Sequence, residues 1–251
     1  MRIQGLRYPL IIAHRGFSSR YPENTLTAFE KALDAGVQMI ELDVTLSRDR
    51  KLVVIHDETL DRTTSGRGRV RDRSLAELKR LDAGAWFSAR FSGVSIPTLE
   101  EVLRMAAGRA AVNIEIKPEA YEAGHPEDAV ERQVWGLSKR LGMTGDVVVS
   151  SFDARVLSEI ARMELPPALA YLSEGEGASR ALAVCRSVHA FSWNVDHRYL
   201  DRKRIDAAHA MGLRVFAYTV NSAGRFRRLL EMGADGIFTD DPGAMEAGLT
   251  F

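Results

Sequence analysis

With one cysteine in 251 residues, the chain cannot close an internal disulfide. That residue, Cys185 in ALAVCRSV, lies on an apolar helical pattern and is expected to pack as a small hydrophobe without a catalytic role. Long apolar runs are missing too. The opening MRIQGLRYPLII is too poor in consecutive apolar residues for an export signal, and no later segment approaches the roughly 20 apolar residues of a membrane span. A cytoplasmic location is the expectation. Nor is there an excess of either charge: 34 Lys and Arg balance 34 Asp and Glu, leaving no net field to gather nucleic acid or anionic membrane. A small-molecule partner fits better. No G-x-S-x-G elbow or Walker loop occurs, and no Ser, Cys or Asp stands in a nucleophile signature. Any attacking group must come from water or from the substrate.

What the chain does contain is a repeated phrase. ALDAGVQMIELDV, SKRLGMTGDVVVS, AHAMGLRVFAYTV and LLEMGADGIFTD each pass from a helical pattern through a glycine into an apolar run. Glycine just beyond a helix takes the left-handed cap conformation at little cost, and near-continuous apolar strands belong to parallel sheets covered on both faces. The unit is therefore αβ. Strands read near 10–14, 39–44, 111–116, 146–150, 168–172, 188–192, 213–219 and 235–239 make eight, the number that closes a (β/α)8 TIM barrel of the α/β class. Residues 1–251, 45% hydrophobic, are read as one domain with one core.

A further apolar run, KLVVIHD at 51–57, is separated from the second strand by only Thr45 to Arg50. A parallel crossover needs about a dozen residues, so KLVVIHD is expected to return antiparallel beside ELDV, carrying His56 back towards Glu41. The connection that follows, at about 58–96, is long enough to be a small insertion after this hairpin. Within it, SLAELKRL with Trp86 and Phe87 suggests a small apolar base capping the site, and GRGRVR reads as a solvated basic turn.

Chemistry gathers at the strand ends. Glu41 and Asp43 are two apart on one strand and share a face, as do Glu115 and Lys117 in VNIEIKP. Three carboxylates aimed into a barrel are costly to desolvate unless a cation joins them, and oxygen-only donors favour Mg2+ or Ca2+ over Zn2+. A salt-bridge network of Glu41, Asp43, Glu115, Lys117 and Arg15 would satisfy the same parity equally well. His14 and Arg15, in IIAHRGFSSRYPENT, and His56 add two titratable bases and an anion clamp, a set suited to a phosphoryl centre. The reaction so indicated is phosphodiester cleavage. Asn24 and Thr25 are read as caps of the first helix, and Asp240 and Asp241 as caps of the last. His125, His189, His197 and His209 have no partner motif.

Taken in order, HRG, PENTLTAFEKALDAG, IELDVTLSRDRKLVVIHDETLDRTT, IPTLEEVL, IEIK, YTVN and ADGIFTDDP resemble the glycerophosphodiester phosphodiesterase family nearly end to end. The resemblance implies a (β/α)8 enzyme that hydrolyses deacylated phospholipids to sn-glycerol 3-phosphate and an alcohol, with a divalent cation and two histidines. It further implies that His14 and His56 are the acid and base; the resemblance does not say which is which, and His14 is taken here as the base. By the same correspondence Glu41, Asp43 and Glu115 are metal ligands for Mg2+ or Ca2+, and Arg15 and Lys117 are phosphate contacts. Tyr218 departs from the pattern, since many members carry Trp there, in WTVN. Two other readings compete: a phospholipase-D-like lyase that releases a cyclic phosphate from lysolipids, and a non-catalytic phosphate-ligand binder. The lyase suits a membrane, for which the chain shows no anchor, and the binder does not need both histidines and all three acids.

Overall fold

A computed structural model describes residues 3–122, 124 and 127–247. In chain order the elements are β1 (Leu10–Ala13), α1 (Leu26–Asp34), β2 (Met39–Leu46), β3 (Leu52–Val54), α2 (Leu75–Leu78), α3 (Leu99–Ala106), β4 (Ala111–Ile116) and α4 (Val130–Arg140). There follow β5 (Val147–Ser151), α5 (Ala154–Ala161), β6 (Ala168–Ser173), α6 (Ala178–Ser187), β7 (Ser192–Asp196), α7 (Arg202–His209), β8 (Arg214–Tyr218), α8 (Ala223–Glu231), β9 (Gly236–Thr239) and α9 (Pro242–Ala247). Eight strands close a parallel ring in the order β1, β2, β4, β5, β6, β7, β8, β9, with β9 bonded back to β1. This is the expected TIM barrel. β3 lies outside the ring, antiparallel to β2 with Val44 opposite Val54, as the short link demanded. Among the described residues no helix is long and apolar enough to cross a membrane.

The recurring glycines do what the repeated phrase implied: Gly36, Gly142, Gly212 and Gly233, after α1, α4, α7 and α8, all have positive φ. The seventh strand is where the sequence misleads. It was expected at 188–192 but runs Ser192–Asp196, because Val188, His189 and Ala190 are consumed in ending α6. His189 takes the left-handed conformation (φ 51°), and the Ala190 amide reaches back to the Cys185 carbonyl at 2.9 Å. No glycine marks that stop.

Alternation along each strand divides the core. Ile40, Leu42 and Val44 of β2 and Val112, Ile114 and Ile116 of β4 face the helices, whereas Leu10, Ile12, Met39, Ala111, Val148, Phe216 and Phe238 fill the barrel's own interior. Cys185 is fully buried in the outer layer, and burial pushes its thiol up to about 12, which leaves it inert. β1 and β9 approach so closely that a Cβ on Gly236 would lie 2.2 Å from the Leu10 carbonyl oxygen. Gly236→Ala is accordingly expected to destabilise the protein by about 3 kcal/mol in denaturant unfolding, a large value for one methyl group.

The segment 58–96 shares a small core with the β3 hairpin, Leu60, Val70, Leu78, Ala83 and Ile96 being buried with Val53 and Ile55. This base is aliphatic, and Trp86 and Phe87 do not form it. Trp86 is 39% exposed, its indole nitrogen donating to the Ala83 carbonyl, and Phe87 packs on Trp86 and Phe91. Of SLAELKRL only Leu75–Leu78 is helical, held by a capping box between Ser74 and Glu77. Arg67, Arg69 and Arg71 of the GRGRVR turn are exposed, as expected of a solvated turn.

Candidate active site

At the carboxyl ends of the ring strands lies a cavity of about 180 Å3 lined by His14, Arg15, Glu41, His56, Asn113, Glu115, Lys117, Phe152, Leu172, Glu174, Tyr218, Thr219 and Phe238. Six of the seven predicted site residues are in that lining. The seventh, Asp43, is 1% exposed, and its carboxylate lies within 4.8 Å of the carboxylates of Glu41 and Glu115. Register explains the meeting, since Asp43 of β2 pairs with Glu115 of β4 and Glu41 pairs with Asn113. His56 arrives by the hairpin return after β3, where the Ile55 amide bonds the Asp43 carbonyl at 3.1 Å.

The turn after β1 is built for close approach. Gly16 has φ 82°, and a Cβ there would stand 2.7 Å from the Ala28 backbone of α1, so the HRG turn can press against the helix only with glycine. Arg15 is also left-handed (φ 55°), which points its own amide at Glu41 Oε2, 2.8 Å away. Its guanidinium binds Glu23 at 2.8 Å and stands 3.4 Å from Asp43 Oδ2. Lys117 Nζ lies 2.8 Å from Glu115 and 3.4 Å from Asp43 Oδ1.

These pairings satisfy only part of the acid cluster. Glu41 Oε1 is buried without a hydrogen-bond partner, an arrangement that is costly unless a proton or a cation occupies the gap. Burial and repulsion from Asp43 and Glu115 raise Glu41 well above the ordinary carboxylate value, and burial with Asp43 raises Glu115 to about 7. Burial alone would raise Asp43 as well, but Arg15, Lys117, His56 and Asn24 outweigh it and hold that carboxyl well below the usual range. The donor set, all oxygen with one oxygen orphaned, therefore fits a hard divalent cation such as Mg2+ or Ca2+.

A pH signature follows. With folded values above the unfolded ones, Glu41 and Glu115 bind more protons in the folded protein, so stability present below about pH 4.5 is lost as pH rises towards 7. The slope per group is at most about 1.4 kcal/mol per pH unit. Thermal unfolding without divalent ions should show Tm falling across that window, and saturating Mg2+ or Ca2+ should flatten it. A Tm that rises from pH 5 to 7 in chelator would contradict the protonated cluster.

Each histidine is gripped at Nδ1 by an aspartate: His14 by Asp240 Oδ1 at 2.7 Å and His56 by Asp57 Oδ1 at 2.6 Å. Both aspartates are held down to about 2. Asp57 is held there chiefly by Arg62, and Asp240, against the pull of its burial, by His14, Asn221 and Ser18. An ionised carboxylate can only accept, so Nδ1 carries the proton and Nε2 is the free nitrogen in the neutral ring. Burial, with the charges of Arg15 and Lys117, lowers His56 below its ordinary value although Asp43 pulls the other way. The opposite wall carries the aromatic side chains Tyr218, Phe152 and Phe238 together with Glu174. Tyr218 meets Phe152 and Phe238 edge to face at 6.0 and 6.4 Å and donates its hydroxyl to the Ser173 carbonyl.

Known proteins share the sequence pattern and the fold of this chain. The sequence pattern of the glycerophosphoryl diester phosphodiesterase family matches residues 14–244. The chain belongs to that family. A glycerophosphodiester phosphodiesterase of Caldanaerobacter subterraneus is 37% identical over 93% of this chain and 94% of its own. A phosphodiesterase of Oleispira antarctica, solved in complex with the product sn-glycerol-3-phosphate, superposes with a TM-score of 0.89 at 30% identity, covering 97% of this chain and 98% of that one. A glycerophosphodiester phosphodiesterase of Agrobacterium tumefaciens gives a TM-score of 0.81 at 34% identity, covering 95% and 99%.

Within the family frame, several residues prove different from their sequence reading. Thr25 does cap α1, accepting from the Ala28 amide at 3.2 Å, but Asn24 does not. Buried and left-handed (φ 56°), Asn24 donates to Asp43 Oδ2 at 2.8 Å and accepts from the Asp43 amide. Asp241 caps α9 through the Ala244 amide, whereas Asp240 turns to His14. Glu23 and Arg62 were not foreseen at all. Arg62, from the insertion, binds both Glu23 and Asp57, linking Arg15 to His56 through one chain of ion pairs. His197 bonds Arg225, and His209 joins Asp235 beside Arg214, both away from the cavity; His125 lies outside the described residues.

Proposed function

We propose that the protein hydrolyses glycerophosphodiesters to sn-glycerol 3-phosphate and an alcohol, with His14 and His56 as the acid-base pair. The observation that carries this is convergence: two histidines oriented through Nδ1, two fixed cations, and Glu41 and Glu115 line one small cavity, with the buried Asp43 carboxylate within 4.8 Å of those two and one Glu41 oxygen orphaned. Glu41, Asp43 and Glu115 would hold a divalent cation, Mg2+ or Ca2+, whose charge stabilises the phosphoryl oxygens as negative charge builds. Arg15 and Lys117 bind the phosphate; the planar Arg15 fork suits a bidentate grip. Proton transfer falls to the imidazoles. The depressed pKa of His56 keeps it neutral near pH 7, which supports His56, in place of His14, as the base of the first step. The reading places the protein in glycerol and lipid metabolism in the cytoplasm, acting on a dissolved small molecule.

The test is a substrate panel of glycerophosphocholine, glycerophosphoethanolamine, glycerophosphoglycerol and lysophosphatidylcholine, coupled to glycerol-3-phosphate dehydrogenase and followed by phosphorus NMR. Release of glycerol 3-phosphate from the first three is expected; a lyase would leave cyclic phosphate from the lysolipid, and a binder would release nothing. Excess chelator should lower turnover at least about 100-fold, Mg2+ or Ca2+ should restore it, and Glu41→Gln should not respond at ordinary metal levels. Full activity in excess chelator would remove the cation from the mechanism.

A further inference from the structure

One wall of the cavity has a charge that the proposed chemistry does not use. Glu174 follows β6, the fifth strand of the ring counted from β1, so it stands across the mouth from His14 and Arg15. It lines the cavity, is exposed, and has no hydrogen bond or ion pair among the described residues. The acids near it are compensated. Asp196 is gripped by Arg198 at 2.5 Å, Asp153 by Arg155 at 2.6 Å, and Glu176 accepts from the Tyr171 hydroxyl with Arg180 at 3.7 Å. Glu174 alone of these four faces the opening with its charge free.

Its surroundings are aromatic. Tyr218 and Phe152 stand edge to face in the same lining, and Tyr199, 39% exposed, lies against the next residue, Gly175, where a Cβ would come within 3.1 Å of the ring. Gly175 has φ 66°, so the turn that presents Glu174 depends on it. The field of Glu174 reaches Tyr218, where, after burial, it is the largest influence raising the phenol, and it reaches Arg198, already neutralised by Asp196. A free carboxylate beside aromatic faces is the environment that attracts an ammonium or quaternary ammonium group.

Resting on the phosphodiesterase reading above, we infer that Glu174, with Tyr218 and Phe152, selects glycerophosphodiesters whose leaving alcohol carries a positive charge. With the phosphate held on the β1 and β4 side by Arg15 and Lys117, an alcohol extending across the ring reaches the β6 loop. A cationic alcohol meets opposite charge there; a neutral one does not, and an anionic one is repelled.

The experiment compares kcat/KM for glycerophosphocholine and glycerophosphoglycerol in the cation-loaded wild type, Glu174→Gln and Glu174→Lys. The choline-to-glycerol ratio should fall about fivefold in Glu174→Gln and about tenfold or more in Glu174→Lys, with both changes shrinking at high salt. An unchanged ratio in active variants overturns the proposal alone. So does an equal loss on both substrates, which would place Glu174 on the glycerol they share. A wild type inert towards both overturns the hydrolase reading and this proposal with it.

Discussion

Alanine in place of His14 or His56 is expected to lower kcat by about a thousandfold or more on glycerophosphocholine, with KM little changed. General acid-base catalysis contributes roughly 10^2 to 10^4 per group, and removing either partner leaves the other without its complement. The two rings are held alike: an ionised aspartate accepts from each Nδ1 and leaves Nε2 free. Asp240→Asn should therefore cost less than the alanine variant, about tenfold, because the ring stays but its tautomer is no longer enforced. Steady-state kinetics across pH 5 to 9 checks the pairing. The parent should give a bell-shaped kcat/KM, and each alanine variant should lose one limb. An alanine variant with parental kcat would remove that histidine from the chemistry.

How much of this was legible beforehand depends on the kind of signal. The ring was readable because four glycines close four helices and because β2 and β4 keep strict parity: Glu41 and Asp43 on one face, Ile40, Leu42 and Val44 on the other. A short link betrayed the β3 hairpin, and with it the return of His56. The end of α6 was hidden because His189 adopts the left-handed cap without being glycine. Asn24 looked like a cap, since Asn favours caps and Thr25 beside it is one; only the fold brings Asp43 within reach of its amide. Asp240 lies 226 residues from His14, so no local pattern joins them, although closure of β9 onto β1 makes them neighbours. The Glu23 and Arg62 link was missed for the same reason, its members lying on separate loops. Function was read from strand ends, whose parity is local, while the groups that orient those side chains are set by long-range closure.

The absence of an enzyme nucleophile leads to the remaining large effect. A glycerophosphodiester in which the hydroxyl next to the phosphoester is replaced by hydrogen is expected to be split at least about a thousandfold more slowly than its parent. The cavity lining holds no Ser or Cys and one Thr, Thr219, and the Tyr218 hydroxyl is engaged with the Ser173 carbonyl; with both histidines assigned to proton transfer, the attacking oxygen is taken from the substrate or from water. A hydroxyl already tethered beside phosphorus has an effective concentration of about 10^5 M or more, far above that of water. On the route proposed, that hydroxyl would give its proton to His56 and bond through its oxygen to phosphorus, while the bond to the leaving alcohol breaks and His14 protonates the departing oxygen. The expected product of this step is a five-membered cyclic phosphate. Water would then open the ring with the roles exchanged: His14 would take the water proton and His56 return one to the hydroxyl, regenerating both rings and leaving glycerol 3-phosphate. The deoxy analogue keeps the phosphate for Arg15 and Lys117 and the alcohol for the mouth, so it should bind and inhibit competitively with a Ki near the parent's Kd while failing to turn over. Phosphorus NMR of the parent reaction should, under rapid quench, show the cyclic species before glycerol 3-phosphate. If the analogue is split at the parental rate and no cyclic phosphate appears, direct attack by water replaces the neighbouring hydroxyl, and the two histidines retain their proton roles in a single displacement.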